Sequence, residues 1–331
     1  MNKVIVLHAR PLGKPTLSDF KTNIEDIPSA DEGEILLKTR YVSVDPYLRG
    51  RMNDAESYIP AFALNEPLQS GIIAEVIDSK QTAFKIGDMV LGNLEWKEYQ
   101  VSDGTALRVI PNDPQYLTAY LGVLGMTGLT AYLGLTQIGL PVPGKTLVVS
   151  GAAGAVGSIA GQVGKLLGCK VVGLTGSDEK VELLKSKFHF DEVINYKSTI
   201  DLTRAIRSAC PNGVDIYFDN VGGKISDDVL NNINKHARIP LCGSISLYND
   251  SSPELGPYIQ PILVKKSAMI QGFIVGDFSA QFPDAIKKLT AWLMEGKLTY
   301  HETIYQGFDQ IPQAFLGLFE GKNEGKMIVK I

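Results

Sequence analysis

The feature that most constrains this chain is the turn Gly151-Ala152-Ala153-Gly154-Ala155-Val156-Gly157. It directly follows the apolar run Leu147-Val148-Val149-Ser150 and directly precedes a helix-like stretch, residues 158–167, closed by Gly168. Strand, small-residue turn and helix in that order gather backbone N–H groups at a helix N-terminus, where a pyrophosphate binds. The spacing is Ala152-x-Gly154-x-x-Gly157, with alanine at the first glycine of the usual GxGxxG pattern. A second apolar strand, residues 170–174, follows at once, as a βαβ unit requires. Gly154, Ala155, Val156 and Gly157 are therefore the positions expected to face a dinucleotide.

The pattern on either side of this turn divides the chain. Residues 1 to about 120 read as mainly β, with strands at 3–7, 34–44, 71–77, 89–91 and 96–101 separated by turns such as Ile86-Gly87-Asp88. Small and apolar residues then favour short helices at 121–124 and 128–135. From Gly144 strands and helices alternate. Strands are expected at 146–150, 170–174, 192–195, 214–219, 237–241 and 269–272, with helices at 158–167, 178–187, 200–208 and 224–233. Such alternation implies an α/β, doubly wound parallel sheet of the Rossmann kind. Residues 303–331 return to strand character, and 326–331 reads as a terminal strand that packs back on the first domain. The expected division is residues 1–120 plus 301–331 as a substrate domain, with residues 121–300 inserted as the cofactor domain.

The end of the second strand selects the dinucleotide. NAD-binding sheets place an acidic residue about 20 positions past the glycines, on the ribose 2′-hydroxyl. Here that stretch is Gly173-Leu174-Thr175-Gly176-Ser177, with no acid. Lys180 follows on the first turn of the next helix, where its charge would meet a 2′-phosphate, with Ser177 and Tyr196 as hydrogen-bond donors. NADP(H) is favoured over NAD(H).

The 331 residues carry a formal net charge of -4 and no conspicuous basic patch, which argues against a nucleic-acid partner. No apolar run approaches the roughly 18 residues of a membrane helix, and the N-terminus lacks the pattern of a secretory signal, so no membrane association and a cytoplasmic location are expected. Cys169, Cys210 and Cys242 are too few and too scattered for a disulfide framework. No cysteine precedes residue 169, and His8, His189, His236 and His301 lack ligand-like spacing, so no zinc is expected. Hydride transfer to an already activated carbon, such as the β-carbon of an enone, is then the accessible reaction.

Several blocks in order carry a wider resemblance: residues 44–52 around Asp45-Pro46-Tyr47, residues 124–132, the glycine turn, Tyr217-Phe218-Asp219-Asn220-Val221-Gly222-Gly223, residues 242–249, Gln271-Gly272-Phe273, and Gly321-Lys322-Asn323-x-Gly325-Lys326. Over essentially its whole length the chain resembles the zinc-independent medium-chain dehydrogenase/reductase superfamily, within it the NADP-dependent prostaglandin and alkenal (enone) double-bond reductases, including curcumin reductase-like proteins. The resemblance implies a Rossmann sheet inserted into a mainly β, GroES-like barrel domain. It implies that Asn220, Cys242, Gly243, Ser244, Tyr248, Phe273, Ile274, Val275 and Asn323 line the remaining NADPH. Met126 and Thr130 would lie near the nicotinamide. Tyr248 would stand near the reacting carbonyl and Tyr47 at the substrate. It further implies NADPH-dependent reduction of the C=C bond of α,β-unsaturated ketones or aldehydes, and a homodimer. A quinone reductase of the same superfamily and a catalytically silent NADPH-binding protein are the alternatives. Tyr58 and Phe62 fall in a loop that reads equally as a lid over substrate or as an anchor, and residues 247–261 are expected to set substrate range.

Overall fold

The computed structural model describes residues 1–250, 252 and 255–331. Ser251, Pro253 and Glu254, within the segment expected to set substrate range, lie outside the described residues. The chain divides into two compact units. One comprises Met1–Leu121, Glu302–Asn323 and Met327–Ile331, the other Gly122–His301 and Glu324–Lys326. The short segment Glu324–Lys326 thus groups with the second unit, whereas the residues on either side of it in sequence group with the first. Among the described residues no helix is long and apolar enough to cross a membrane.

The second unit is built on a six-stranded parallel sheet. Its order is Glu192–Asn195, Lys170–Thr175, Thr146–Val149, Val214–Phe218, Ile233–Leu241 and Met269–Gly272. Counted in chain order, the second half of the sheet runs outward on the far side of the first strand, the doubly wound arrangement with its crevice at the strand carboxyl ends. Thr146–Val149 is buried along its whole length, which is why it reads as a continuous apolar run without alternation. Val148, Val172, Leu174, Val214 and Tyr217 centre one side of the core.

The first unit is mainly β. Its larger sheet runs Glu302–Gln306, Lys326–Lys330, Ile35–Ser43, Gln69–Ser79, Met89–Glu95 and Arg108–Ile110, with Tyr99–Ser102 pairing on Ile35–Ser43. The terminal strand pairs antiparallel to the long one, Ile328 opposite Ser43 and Val329 opposite Val42. A smaller pair joins Asn2–Leu7 to Phe20–Glu25.

Several elements differ from the sequence reading, and the strand Arg108–Ile110 and the helices Gln260–Lys266 and Phe282–Met294 were not anticipated. Residues 122–125 form a turn capped by Gly125, so the helix there is Met126–Leu133, followed by a wider turn, Gly134–Gly139. The helix expected at 224–233 ends at Leu230, and the next strand begins at Ile233. That strand contains His236 at φ 64° and shifts its register on Val214–Phe218, and this irregularity hides its first half from a period-two reading. The tail is not strand throughout: Ile311–Leu318 is a helix with Pro312 at its start and nearly every residue buried. A run of eight that is apolar but for Gln313 carries too little periodicity to tell a core helix from a core strand. Phe20–Glu25 was not anticipated, since only Phe20 of its six residues is buried.

Candidate active site

The glycine turn shows why its residues are small. Gly151 has φ +58°, a conformation side chains resist, and a Cβ on Gly157 would lie 2.3 Å from the Gly151 carbonyl oxygen. Ala152 donates its N–H to Leu174 O at 3.1 Å, tying the turn to the neighbouring strand. Gly154 N–H closes the turn on Gly151 O at 3.0 Å, and Gly157–Leu166 then runs as helix. The N–H groups of Ala155 and Val156 carry no hydrogen bond among the described residues, at the positive end of that helix. A small cavity lies against Ala155 and Ser158, lined also by Tyr300, His301 and Lys326. These features fit a dinucleotide pyrophosphate.

The end of strand Lys170–Thr175 brings three sequence-predicted residues together. Ser177 caps helix Asp178–Ser186, its Oγ accepting from Lys180 N at 3.4 Å. A Cβ on Gly176 would lie 2.8 Å from the Tyr196 hydroxyl, so the phenol lies over the strand end. Burial lowers the proton affinity of the Lys180 ammonium, the charge of Glu324 opposes that, and Lys197 adds to it. Burial also raises the Tyr196 hydroxyl above its ordinary range, keeping it a donor at neutral pH. The groups present suit a phosphomonoester.

At the neighbouring strand end, Asp219 organises the segment carrying Asn220. It is buried, and its Oδ1 accepts from Ser150 Oγ at 3.0 Å, Tyr217 Oη at 2.8 Å, and the Val221 and Gly222 N–H groups at 3.0 Å each. Its Oδ2 accepts from Ser226 Oγ at 2.7 Å. Asn220 in turn donates its backbone N–H to Ser150 Oγ at 2.9 Å and its side-chain amide to Ser150 O at 2.8 Å. The Asp219 carbonyl receives the N–H groups of Cys242 at 2.8 Å and Gly243 at 3.2 Å, which brings the 242–248 segment alongside. Sequence reasoning quoted Asp219 only as part of a motif and missed this role.

Tyr248 lies at the end of that segment, half-buried. Its hydroxyl oxygen accepts the Ser244 N–H at 3.4 Å, and a Cβ on Gly243 would lie 3.0 Å from it. Burial raises the hydroxyl above the ordinary phenol range, and the Ser244 bond opposes this. Because the oxygen is used as acceptor, its own proton stays available for another acceptor. Cys242 is pushed up to about 12, first by burial and then by the charge of Asp219, so it is an unreactive thiol. The Phe273 ring packs inward on Gly134 and edge-on to Phe218 at 6.3 Å, whereas Ile274 is exposed. Met126 is exposed at the start of its helix, where Thr130 Oγ donates to its carbonyl at 2.7 Å.

Tyr47 and Asn323 belong to the other unit. Tyr47 precedes the short helix Leu48–Arg51 and packs on that unit's core. Burial, and then the charge of Asp45, push its hydroxyl far above the usual phenol range, while Arg51 pulls it down. Ser43 Oγ donates to Asp45. The Arg51 guanidinium lies 3.9 Å over the Phe62 ring, and its Nε donates to Pro60 O at 2.9 Å. Phe62 is buried and acts as the anchor of its loop, whereas Tyr58 is exposed.

Together these elements define a Rossmann-type oxidoreductase. Residues 3–110 match the family described as the N-terminal domain of oxidoreductase, and residues 155–291 that described as zinc-binding dehydrogenase. The metal named in the second description has no fitting site, since no group of three or more His, Cys, Asp or Glu among the described residues is placed to hold an ion. The chain is 53% identical over 329 residues to YfmJ of Bacillus subtilis (strain 168), whose assignment as an NADP-dependent oxidoreductase is provisional. That match covers 99% of this chain and 97% of the relative. It is 40% identical over 335 residues to the NADPH-dependent curcumin reductase of Escherichia coli (strain K12), covering 100% and 97%. Among solved structures, CurA from Vibrio vulnificus in complex with NADPH superposes with a TM-score of 0.95 at 43% identity, covering 99% of this chain and 98% of that one. The chain belongs to the medium-chain dehydrogenase/reductase family of NADP-dependent prostaglandin, alkenal and curcumin reductases.

Proposed function

We propose that this protein uses NADPH to reduce the C=C bond of α,β-unsaturated ketones or aldehydes. Relatives named as curcumin, prostaglandin, 2-alkenal and (+)-pulegone reductases support the reading. The single observation that carries it is the Tyr248 hydroxyl, held at its oxygen by Ser244 N–H with its proton left to donate. When bound, NADPH supplies a hydride for the β-carbon.

Gly154, Ala155, Val156 and Gly157 hold the pyrophosphate. Ser177, Lys180 and Tyr196 hold the 2′-phosphate. Asn220, Cys242, Gly243, Ser244, Phe273, Ile274, Val275 and Asn323 line the rest, with Met126 and Thr130 near the nicotinamide. Tyr248 donates to the substrate carbonyl oxygen as negative charge builds there, and its raised proton affinity keeps it protonated through neutral pH. Tyr47, likewise held protonated, supplies the substrate-facing hydroxyl of the first unit. The α-carbon takes its proton from solvent or through a tyrosine.

The protein acts in the cytoplasm as a homodimer. The outermost strand of the parallel sheet, Met269–Gly272, pairs on one side only among the described residues, which leaves an edge for a two-fold partner. The test is NADPH consumption with an alkenal, an enone, a quinone and a saturated aldehyde, with NADH as control. The expected product is the saturated carbonyl compound. Turnover confined to the quinone establishes a quinone reductase, and tight NADPH binding without any turnover establishes a silent binding protein; either overturns the reading.

A further inference from the structure

We propose that Lys197 is a second cation of the 2′-phosphate seat, and that Glu324 is a resident carboxylate charge with which the phosphate competes there. The inference rests on the NADPH reading above and names two residues that reading does not use.

The placement starts at Gly176. A Cβ on this residue would lie 2.8 Å from the Tyr196 hydroxyl and 3.2 Å from Lys197 Cε, so two side chains from one loop lie over a single residue at the strand end. The loop is fixed in that position. Lys197 N–H donates to Asn195 Oδ1 at 3.1 Å, and Asn195 Nδ2 donates to Asp178 Oδ1 at 2.7 Å, at the start of the helix that carries Lys180. Among the described residues neither the Tyr196 hydroxyl nor the Lys197 ammonium has a hydrogen-bond or ion-pair partner. Lys197 is close enough to Lys180 for the two charges to repel. Two ammonium groups and a phenol proton collected at one strand end, at a cost in repulsion, match a dianion and no neutral group. A phosphomonoester carries about −1.5 to −2 charges at pH 7, more than Lys180 alone can balance.

Glu324 approaches from a different segment. Gly325 N–H donates to Ala153 O at 2.7 Å, Gly154 and Gly325 form a bridge, and Lys326 N–H donates to His301 O at 2.9 Å. These bonds strap Glu324–Lys326 beside the glycine turn. The Glu324 carboxylate lies 3.4 Å from His301 Nε2, and its charge reaches Lys180. Glu324 therefore balances the cations before a phosphate arrives and repels the phosphate afterwards. A ligand without the 2′-phosphate gains nothing from Lys197 and avoids the opposition of Glu324. The pair thus tunes discrimination between phosphorylated and unphosphorylated dinucleotides.

The test is calorimetric binding of adenosine 2′,5′-bisphosphate, with adenosine 5′-monophosphate as control, so no turnover is needed. Lys197→Met is expected to weaken the bisphosphate by about three- to tenfold and leave the monophosphate unchanged, as befits a solvent-exposed charge on a dianion. Lys197→Arg restores most of the loss. Glu324→Gln is expected to tighten the bisphosphate by about two- to fivefold, the size of a removed like-charge contact near the surface. The proposal fails if Lys197→Met weakens both nucleotides equally, or if both Lys197→Met and Glu324→Gln leave the bisphosphate unchanged while Lys180→Ala weakens it. If Lys180→Ala also has no effect, the 2′-phosphate assignment itself falls.

Discussion

The Ser150 hydroxyl joins two residues that are neighbours in sequence but point to different tasks: it donates to Asp219 Oδ1 at 3.0 Å and accepts the Asn220 N–H at 2.9 Å. Asp219 is buried and Asn220 half-buried, and both are tied to Ser150, so the buried carboxylate helps set where the amide stands. Four donors converge on Asp219 Oδ1 and one on Oδ2. Asp219→Asn removes the charge that five donors share and replaces one acceptor oxygen by an amide nitrogen, which can only donate. The loss is expected to be about 3 kcal/mol of stability, the scale of a broken buried charged network. Denaturant melts would show it, together with a raised KM for NADPH as Asn220 loses its support. An unchanged melting midpoint would mean the network is dispensable.

Lys180→Ala removes the first cation of the phosphate seat. NADPH is expected to bind about 1.5–3 kcal/mol more weakly, the value of a charged hydrogen bond, while NADH is little altered. Fluorescence titration with each cofactor checks this. Equal losses for both would place Lys180 outside the phosphate contact.

Alkaline stability follows from two desolvated phenols, Tyr47 half-buried and Tyr217 fully buried. Tyr47 is raised by burial first, and Tyr217, fully buried, is raised by burial and by the charge of Asp219. Both native hydroxyls hold their protons more tightly than in the unfolded chain, whose phenols titrate near 10. Their contribution is therefore complete below pH 10 and is lost as pH climbs from there toward the native values. Denaturant midpoints are expected to be level from pH 7 to 9 and to fall above pH 10. Tyr47→Phe should make that fall shallower, and an unchanged slope would show that the Tyr47 hydroxyl does not hold its proton more tightly in the native state.

What could be read from the sequence was what is local in it. Strand, turn and helix around Gly151–Gly157 are consecutive, so their order alone specifies a dinucleotide turn, and Ser177 and Lys180 lie three residues apart at one helix start. Tyr196 was within reach because the sheet places the loop after Glu192–Asn195 beside the end of Lys170–Thr175. Lys197 and Glu324 were not, because an exposed lysine and a tail carboxylate acquire meaning only when Gly176 and the glycine turn bring them in. Asp219 was hidden for a related reason: its five donors come from Ser150, Tyr217, Val221, Gly222 and Ser226, and no spacing rule links them. The helix Ile311–Leu318 failed to show because burial of all its residues but Gln313 leaves little periodicity to read.

Tyr248 is where geometry and chemistry meet most closely. Its oxygen is an acceptor for Ser244 N–H, which fixes the ring against Gly243 and leaves one proton to donate. Tyr248→Phe keeps the ring and its packing but removes that proton. If the hydroxyl stabilises charge on the substrate carbonyl, kcat on an enone is expected to fall by about 10²-fold, the usual cost of one such donor. NADPH affinity should stay near the parent value, since the ring still fills its place. The rate of the parent enzyme should also be level between pH 6 and 9, because the native hydroxyl is raised above the ordinary phenol value of about 10 and remains protonated throughout. Steady-state kinetics at several pH values separate the possibilities. A rate in Tyr248→Phe equal to the parent's would remove tyrosine from the chemistry, and a raised NADPH KM with unchanged kcat would make Tyr248 a cofactor-packing residue alone.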